Sequence, residues 1–539
     1  MKLQACAIFL LTICLSSANV SGQTNTIEMP KIITKNGRHA LIVDGEPFFI
    51  LGAQAHNSSG WPAMLPSLWN SMVFLHANTL EVPIYWEQIE AQQGKFDFSL
   101  IDTLLVQARK HKVRLVLLWF ATWKNGSNHY MPEWMKLEPE KYPNLTGKDG
   151  KPVDSPSPNA DLTMQADKKA FTAVMKYLKK SDGQHTVIMV QVENEPGSWG
   201  SVRDYSTNAQ KMFEAPVPAE LLKPGILNAL HVSAVSSGNW QQVFGERADE
   251  YFQAWSVARF IGEVAAAGKA EYALPMYSNA ALRDPFTNPG AGSYESGGPT
   301  DNVIPIWKAA APALDLLAPD IYLSGTDVIK KVIDLYDRPD NALLVPELGW
   351  SSERVKYLYE VISRGGIGFS PFGIDDNGRE KTAAERTMHL APFAQEYIMA
   401  EPMMRKLAKW SFEGKVKAAI EQEDHSDQTI DLGSWEAVIS FGDGERKASE
   451  KINNPPNGKA MIVQLDENKF IVTGTLCHIS FRASGKDAGR AWQYLRVEEG
   501  SYAGDIFKPT RILNGDETDF GGPHFGAVPT VLQITLVKR

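Results

Sequence analysis

Cysteine is nearly absent: the 539 residues include three, Cys6, Cys14 and Cys477. Two of them lie in the extreme N-terminal segment, so a chain that loses this segment keeps Cys477 alone. That excludes an intrachain disulfide and a cysteine-based metal cluster. The surrounding GTLCHISF reads as a buried strand. An excess of positive charge is also missing. A formal net charge of -9 argues against nucleic acid or an anionic membrane surface as the main partner and favours neutral ligands. No internal repeat of useful period and no low-complexity tract interrupts the chain. The apolar run in MKLQACAIFLLTICLSSANVSGQ is too short to span a bilayer comfortably. With Lys2 before it and Val20, Ser21 and Gly22 after it, it reads as a cleavable signal over residues 1–22, which predicts a secreted or periplasmic protein. A lipid anchor on Cys14 is the poorer reading, because Ile13 occupies a position that wants a small residue.

What is present is an ordinary globular composition, 43% hydrophobic and 22% charged, in a chain long enough for a large barrel and an appended module. Short apolar segments recur at 47–54, 78–85, 114–120, 186–193, 274–280, 316–322, 342–347 and 366–372. Between them, FSLIDTLLVQARKHK, MQADKKAFTAVMKYLKK, DEYFQAWSVARFIGEVAAAGKA and SSERVKYLYEVISR carry apolar residues at three- and four-residue intervals, each predicting a helix with one buried face. Eight strands alternating with helices predict an α/β fold, a (β/α)8 TIM barrel over 23–400. Long connections at 121–163, 196–244 and 281–301 would build a cleft at the carboxyl face. After about 400 the pattern turns to alternation of apolar and polar residues, as in KAMIVQLDENKFIVTG and VLQITLVKR, which predicts a C-terminal antiparallel β-sandwich over 401–539.

Two strand ends carry the chemistry. TVIMVQVENEPG delivers Asn194 and Glu195 to a strand mouth, where Pro196 and Gly197 stop the strand, and NALLVPELGW delivers Glu347 in the same way. Two carboxyls about 5 Å apart are what a retaining glycosidase needs, one to protonate the leaving oxygen and one to attack the anomeric carbon. Other polar and aromatic groups near strand ends are candidates for holding a sugar: Gln54, His56 and Asn57 after the first strand, Tyr322 after the sixth, and the indoles of Trp119, Trp123, Trp199 and Trp350. Tyr294 and Glu295, in PGAGSYESGG, either bind substrate or are solvated, the latter being favoured for Glu295. Asn57, Asn125 and Asn144 form Asn-X-Ser/Thr triplets, to which no role is assigned.

LGAQAHNSSGW (51–61), HANTLEVPIYWEQIEAQQGKFDF (76–98), VQVENEPG (190–197) and VPELGW (345–350) together resemble glycoside hydrolase clan A. More narrowly they resemble the β-galactosidases of family 35, with some likeness to family 42. The resemblance implies that Glu195 is the acid/base, Glu347 the nucleophile and Asn194 a donor to the sugar's 2-hydroxyl. Glu347 would be ionised at rest while Glu195 holds its proton. It implies no metal or organic cofactor, a carbohydrate as partner, and galactose-bearing plant polysaccharide fragments as substrate. Trp86 matches the start and Glu90 the acidic residue of the family's Trp-Asn-x-His-Glu-Pro segment, but Glu87, Ile89 and Ala91 depart from it, as does Pro83 where the family has Tyr. The family's Cys-Ala-Glu-Trp, whose Glu grips galactose, stands here as Phe120, Ala121, Thr122 and Trp123. Another clan A glycosidase and a glycan-binding protein on an inactive barrel therefore remain open alternatives, as do exo or endo action and the oligomeric state.

Overall fold

A computed structural model describes residues 28–349, 351–376, 378, 382–442 and 455–539. The expected signal at 1–22 and Trp350 lie outside the described residues. Eight parallel strands close into one ring: Ile50–Gln54, Thr79–Tyr85, Arg114–Lys124, Val187–Asn194, Met276–Ala281, Leu316–Ile321, Leu344–Leu348 and Gly368–Pro371. They follow one another around the ring in chain order, and the last closes on the first through Gly368 opposite Ile50 and Phe369 opposite Leu51. Each overlaps a segment expected to be a strand. Thr79–Tyr85 and Val187–Asn194 are buried at every position, because one face fills the barrel interior and the other lies under helices. The fold is therefore a (β/α)8 barrel, preceded by a three-stranded antiparallel sheet of Lys31–Lys35, Arg38–Val43 and Glu46–Phe48.

The outer helices depart from expectation in two places. Ala248–Glu271 is buried well beyond a single stripe, since the connection before it folds back over it. Trp240, from the short helix Trp240–Phe244, packs against both Phe252 and Trp255. The segment SSERVKYLYEVISR is not one helix but a tight 3-10 turn, Ser352–Lys356, followed by Tyr357–Arg364. Among the described residues, no helix is long and apolar enough to cross a membrane.

Two irregularities at the carboxyl face shape the site. The third strand runs past its expected end at 120 to Lys124, and its pairing with the fourth strand slips between Trp119 and Lys124, so that Lys124 stands opposite Asn194. In the seventh strand Pro346 has no N–H to give the ladder, and its register with the eighth shifts between Val345 and Leu348, the interval that contains Glu347. Both slips re-aim side chains towards the mouth of the barrel.

Past the barrel come the helices Ala383–Ala400 and Met404–Phe412, then two antiparallel sheets of six and four strands between Val416 and Lys538. Their alternation is visible in Trp435–Phe441, where every second residue is buried. Trp435, Ile439, Phe470, Val472, Ile479, Phe481 and Ile534 fill the space between the sheets. Val416, Met461, Val463 and Ile471 instead join the core of the barrel. A buried ion pair of Lys459 with Glu396 at 3.0 Å, with the Tyr359 hydroxyl also on Glu396 at 3.0 Å, reinforces that junction.

Candidate active site

Glu195 directly follows the fourth strand, Asp320 and Glu347 are the penultimate residues of the sixth and seventh, and one carboxylate oxygen from each lies within 4.8 Å of the other two. All three are buried, with exposures of 6%, 2% and 5%. Three carboxyls so close in a low dielectric cannot all be ionised without large cost. Burial, then the nearby Glu195, pushes the Glu347 carboxyl up to about 7 against the pull of Lys124, Tyr322 and Gln54. Asp320 is driven well above the usual carboxylate range by burial and by Glu347 and Glu195. Resting ionisation of Glu347 is thus reached only above about 7, higher than an ordinary nucleophilic carboxylate would need. Among the described residues, this trio is the group of carboxyls whose spacing would also suit a cation.

The backbone holds this arrangement in strained form. Glu193 and Glu195 have φ of +62° and +43°, in the left-handed region that non-glycine residues seldom enter. Around Glu195 the surrounding bonds fix the conformation. Its N–H donates to Asn279 Oδ1 at 2.9 Å, its carbonyl accepts the Gly126 N–H at 3.0 Å, and Asn125 Nδ2 donates to its Oε2 at 2.5 Å. Asn279 Nδ2 in turn donates to Asp320 Oδ2 at 2.5 Å, tying the two acids together. Behind the strand, Glu193 Oε2 accepts the Trp123 N–H at 2.7 Å, and Glu193 bonds Asp167, which takes Trp119 Nε1 at 2.9 Å and Thr122 Oγ1 at 2.5 Å. Burial first, then the Asp167 charge, raises Glu193 well above its ordinary range, and burial raises Asp167 as well.

The residues anticipated from the sequence differ in what they meet. Tyr322 Oη donates to Glu347 Oε1 at 2.5 Å. Gln54 is buried, its side chain bonding the Glu347 and Glu81 carboxyls and its Nε2 also lying 3.5 Å from the Pro346 carbonyl. Asn194 is 1% exposed and neither of its amide atoms has a hydrogen-bond partner, so a donor and an acceptor are left open in the cluster. Trp199 is 44% exposed at the rim. His56 is committed elsewhere: its Nδ1 lies 3.2 Å from Asp375 Oδ1, which also accepts the His56 N–H at 2.9 Å. Asn57 is half-buried, and its carbonyl receives a 3.5 Å contact from Tyr130 Oη.

Trp119 and Trp123 require correction as sugar platforms. Both are fully buried; the first bonds Asp167 and packs on Trp86 and Phe171, and the second meets Phe260 edge to face at 4.8 Å. Neither has a ring face left for a ligand. Glu295 is not solvated as expected but 3% exposed; burial, then Glu195, pushes it up to about 8. Glu90, the acidic residue of the family-like segment, closes a local turn by accepting Trp86 Nε1 at 2.9 Å and the Gly94 N–H at 2.7 Å.

Several groups went unnoticed in the sequence. Lys124, 5% exposed, is the positive charge that pulls down Glu347, Asp320 and Glu295. Asn125, in sequence no more than part of an Asn-X-Ser triplet, is the donor to Glu195 Oε2. Glu81, in the second strand, sits below the trio and receives Ser370 Oγ at 2.5 Å; burial raises it to about 8. Ser370 comes this near only because Gly52 has no side chain: a Cβ there would lie 1.9 Å from Ser370 Oγ. The one available signal for Glu81 was an acid inside an otherwise apolar strand.

Comparison with known proteins gives partial matches. Residues 67–228 match the glycoside hydrolase family 42 model, described as beta-galactosidase, a range that includes Asn194 and Glu195 and stops before Glu347. Residues 393–523 match a family described as a domain of unknown function (DUF5597). A beta-galactosidase of Xanthomonas manihotis is 27% identical over 177 residues, covering 32% of this chain and 27% of that protein. The chain therefore matches about a quarter of the length of that curated relative. Among solved structures, a beta-galactosidase from Bacillus circulans sp. alkalophilus is similar at 14% identity with a TM-score of 0.48, over 67% of this chain and 57% of its own. The catalytic domain of a beta-amylase from Paenibacillus polymyxa is similar at 13% identity with a TM-score of 0.48, over 65% of this chain and 97% of its own.

Proposed function

We propose that this protein is a retaining glycoside hydrolase that removes terminal β-galactosyl residues from galactose-bearing plant polysaccharide fragments. The observation that carries the reading is the separation of at most 4.8 Å between carboxylate oxygens of Glu195 and Glu347. Retaining enzymes hold their two carboxyls about 5–5.5 Å apart, whereas inverting ones leave about 6.5–9.5 Å for a water. Glu347 attacks the anomeric carbon as the bond to the leaving oxygen breaks, and Glu195 gives that oxygen its proton. A water then surrenders a proton to Glu195, attacks the same carbon and frees Glu347. The Tyr322 hydroxyl and Lys124 favour the ionised form of Glu347. The open donor and acceptor of Asn194 suit the sugar's 2-hydroxyl.

Galactose as the sugar rests on the family 42 match at 67–228 and on the family 35 likeness of the segments quoted above. A second reading, a clan A glycosidase for another sugar, is favoured by Thr122, which stands where the family's galactose-gripping Glu would be and is spent on Asp167. Exo action, export through residues 1–22, and division into a catalytic barrel at 23–400 and an accessory sandwich at 401–539 are part of the proposal.

The test is hydrolysis of a panel of aryl glycosides by the protein and by Glu195→Gln and Glu347→Gln. We expect aryl β-galactosides to be cleaved, the first-formed anomer to be β, and both variants to lose at least ~100-fold in turnover. Unchanged turnover in both variants removes the pair from the chemistry. A first-formed α-anomer refutes retention, and cleavage of a different glycoside alone selects the second reading.

A further inference from the structure

Glu195, as acid, must face the leaving group, and one feature beside it has no part in the steps above. Trp199 follows Glu195 by four residues and presents a 44% exposed indole, the only one of the candidate tryptophans among the described residues with a free face. Its Nε1 donates at 2.7 Å to Glu295 Oε1, which fixes the tilt of the ring. The other carboxylate oxygen of Glu295 is buried and has no hydrogen-bond partner. An unpartnered carboxyl oxygen in a residue 3% exposed is costly to the fold and is the kind of polar atom a ligand hydroxyl satisfies.

The surrounding backbone brings this pair against the acid. Ser198 and Ser296 exchange both backbone hydrogen bonds, at 2.9 and 3.0 Å, clamping the loop that carries Trp199 to the one that carries Glu295. Gly126 donates its N–H to the Glu195 carbonyl, and a Cβ on it would lie 2.9 Å from Trp199 Cδ1 and 3.5 Å from the Glu295 carboxyl carbon. Glycine at 126, with φ of +72°, is therefore what lets the indole edge, the buried carboxyl and the acid pack into one corner.

We infer that Trp199 and Glu295 form a binding site for the sugar on the leaving-group side, a second pyranose that stacks on the indole and shares a hydrogen bond between one of its hydroxyls and the free oxygen of Glu295. This rests on the glycosidase reading for the meaning of the leaving-group side. The chemistry selects a sugar over an aromatic aglycone, because stacking alone would use the ring and leave the free oxygen of Glu295 unsatisfied.

Calorimetric titration with galactose, with a thio-linked β-galactosyl disaccharide that resists cleavage, and with an aryl thio-β-galactoside tests it. The disaccharide is expected to bind at least ~10-fold more tightly than galactose, the gain that one stacked ring with one buried hydrogen bond supports. Trp199→Ala should abolish most of that gain, Trp199→Phe should keep part of it, and Glu295→Gln should reduce it. Trp199 is exposed enough that none of its variants threatens folding. Equal binding of galactose and disaccharide, or a gain that survives Trp199→Ala, overturns the inference. A full gain with the aryl compound overturns its assignment to a sugar. If the gain is present but no glycoside is hydrolysed, the catalytic reading falls and this site stands; if hydrolysis is intact and the gain absent, only this site falls. Binding of neither sugar without hydrolysis removes both.

Discussion

Replacing Tyr322 by Phe removes one O–H donor, 2.5 Å from Glu347 Oε1, and should be read directly in the pH dependence of nucleophilic attack. A hydrogen bond to a charged group is worth ~1.5–3 kcal/mol. Tyr322 is 47% exposed, so water can replace part of the bond. The lower end applies, ~1.5 kcal/mol or about 1 pKa unit at 1.36 kcal/mol per unit. The sign follows from the donor stabilising the ionised carboxylate: its loss raises the Glu347 pKa from about 7 towards ~8. Near pH 6 the ionised fraction then falls from about one tenth to about one hundredth, a ~10-fold loss that shrinks as the pH passes ~8. The assay is the rate of covalent inactivation by a 2-deoxy-2-fluoro-β-galactoside with an activated leaving group, which needs no help from an acid. An acid limb that stays in place in Tyr322→Phe would refute the argument that this hydroxyl tunes Glu347. A limb near 4.5 in the unaltered protein, the ordinary glutamate value, would refute the buried-trio argument itself.

Three further outcomes follow from other parts of the site. Asn194→Ala should cut kcat/KM on an aryl β-galactoside by ~100-fold or more, as loss of a transition-state bond to the 2-hydroxyl would. Its melting temperature should hold or rise, since two unpartnered buried amide atoms disappear; a lower one would indicate a structural role. Trp123→Ala, emptying a fully buried indole site against Phe260, should cost ~3–5 kcal/mol in denaturant unfolding. Trp199→Ala should cost little, and equal costs would contradict the core and rim assignments. Glu81, raised from 4.5 to about 8 in the folded protein, keeps a proton that the unfolded chain releases between those values, so stability declines as pH rises through that window. Glu81→Gln cannot ionise, and its melting temperature should gain on the unaltered protein as pH goes from about 5 to about 8; a constant difference would show Glu81 to be charged when folded.

What could be read from the chain alone was whatever has a local period. Strands that are buried on both faces are continuous apolar runs, and the helices between them repeat every three to four residues, so the eight-stranded ring and the alternating sheets after it follow from the order of residues. Glu195 and Glu347 were readable for the same reason, each being the acid at the abrupt end of such a run. The indoles were not, because Trp119, Trp123 and Trp199 all stand near strand ends, and only packing decides which keeps a free face. Trp119 and Trp123 went inward to Asp167 and Phe260, while Trp199 stayed at the rim.

The remaining determinants are tertiary. Lys124 reaches the acids through a slip in strand pairing, and Asp320 joins them because the ring puts the sixth strand beside the seventh. Glu295 is buried because its loop is clamped to the one that follows Glu195. None of these leaves a mark on neighbouring residues. The protonation states depend on them all the same, since charge and burial act through space between groups distant along the chain. By itself the sequence determined the barrel and the two acids at its mouth; the third acid, the lysine that offsets them and the free indole were decided by closure of the ring and the folding of its loops.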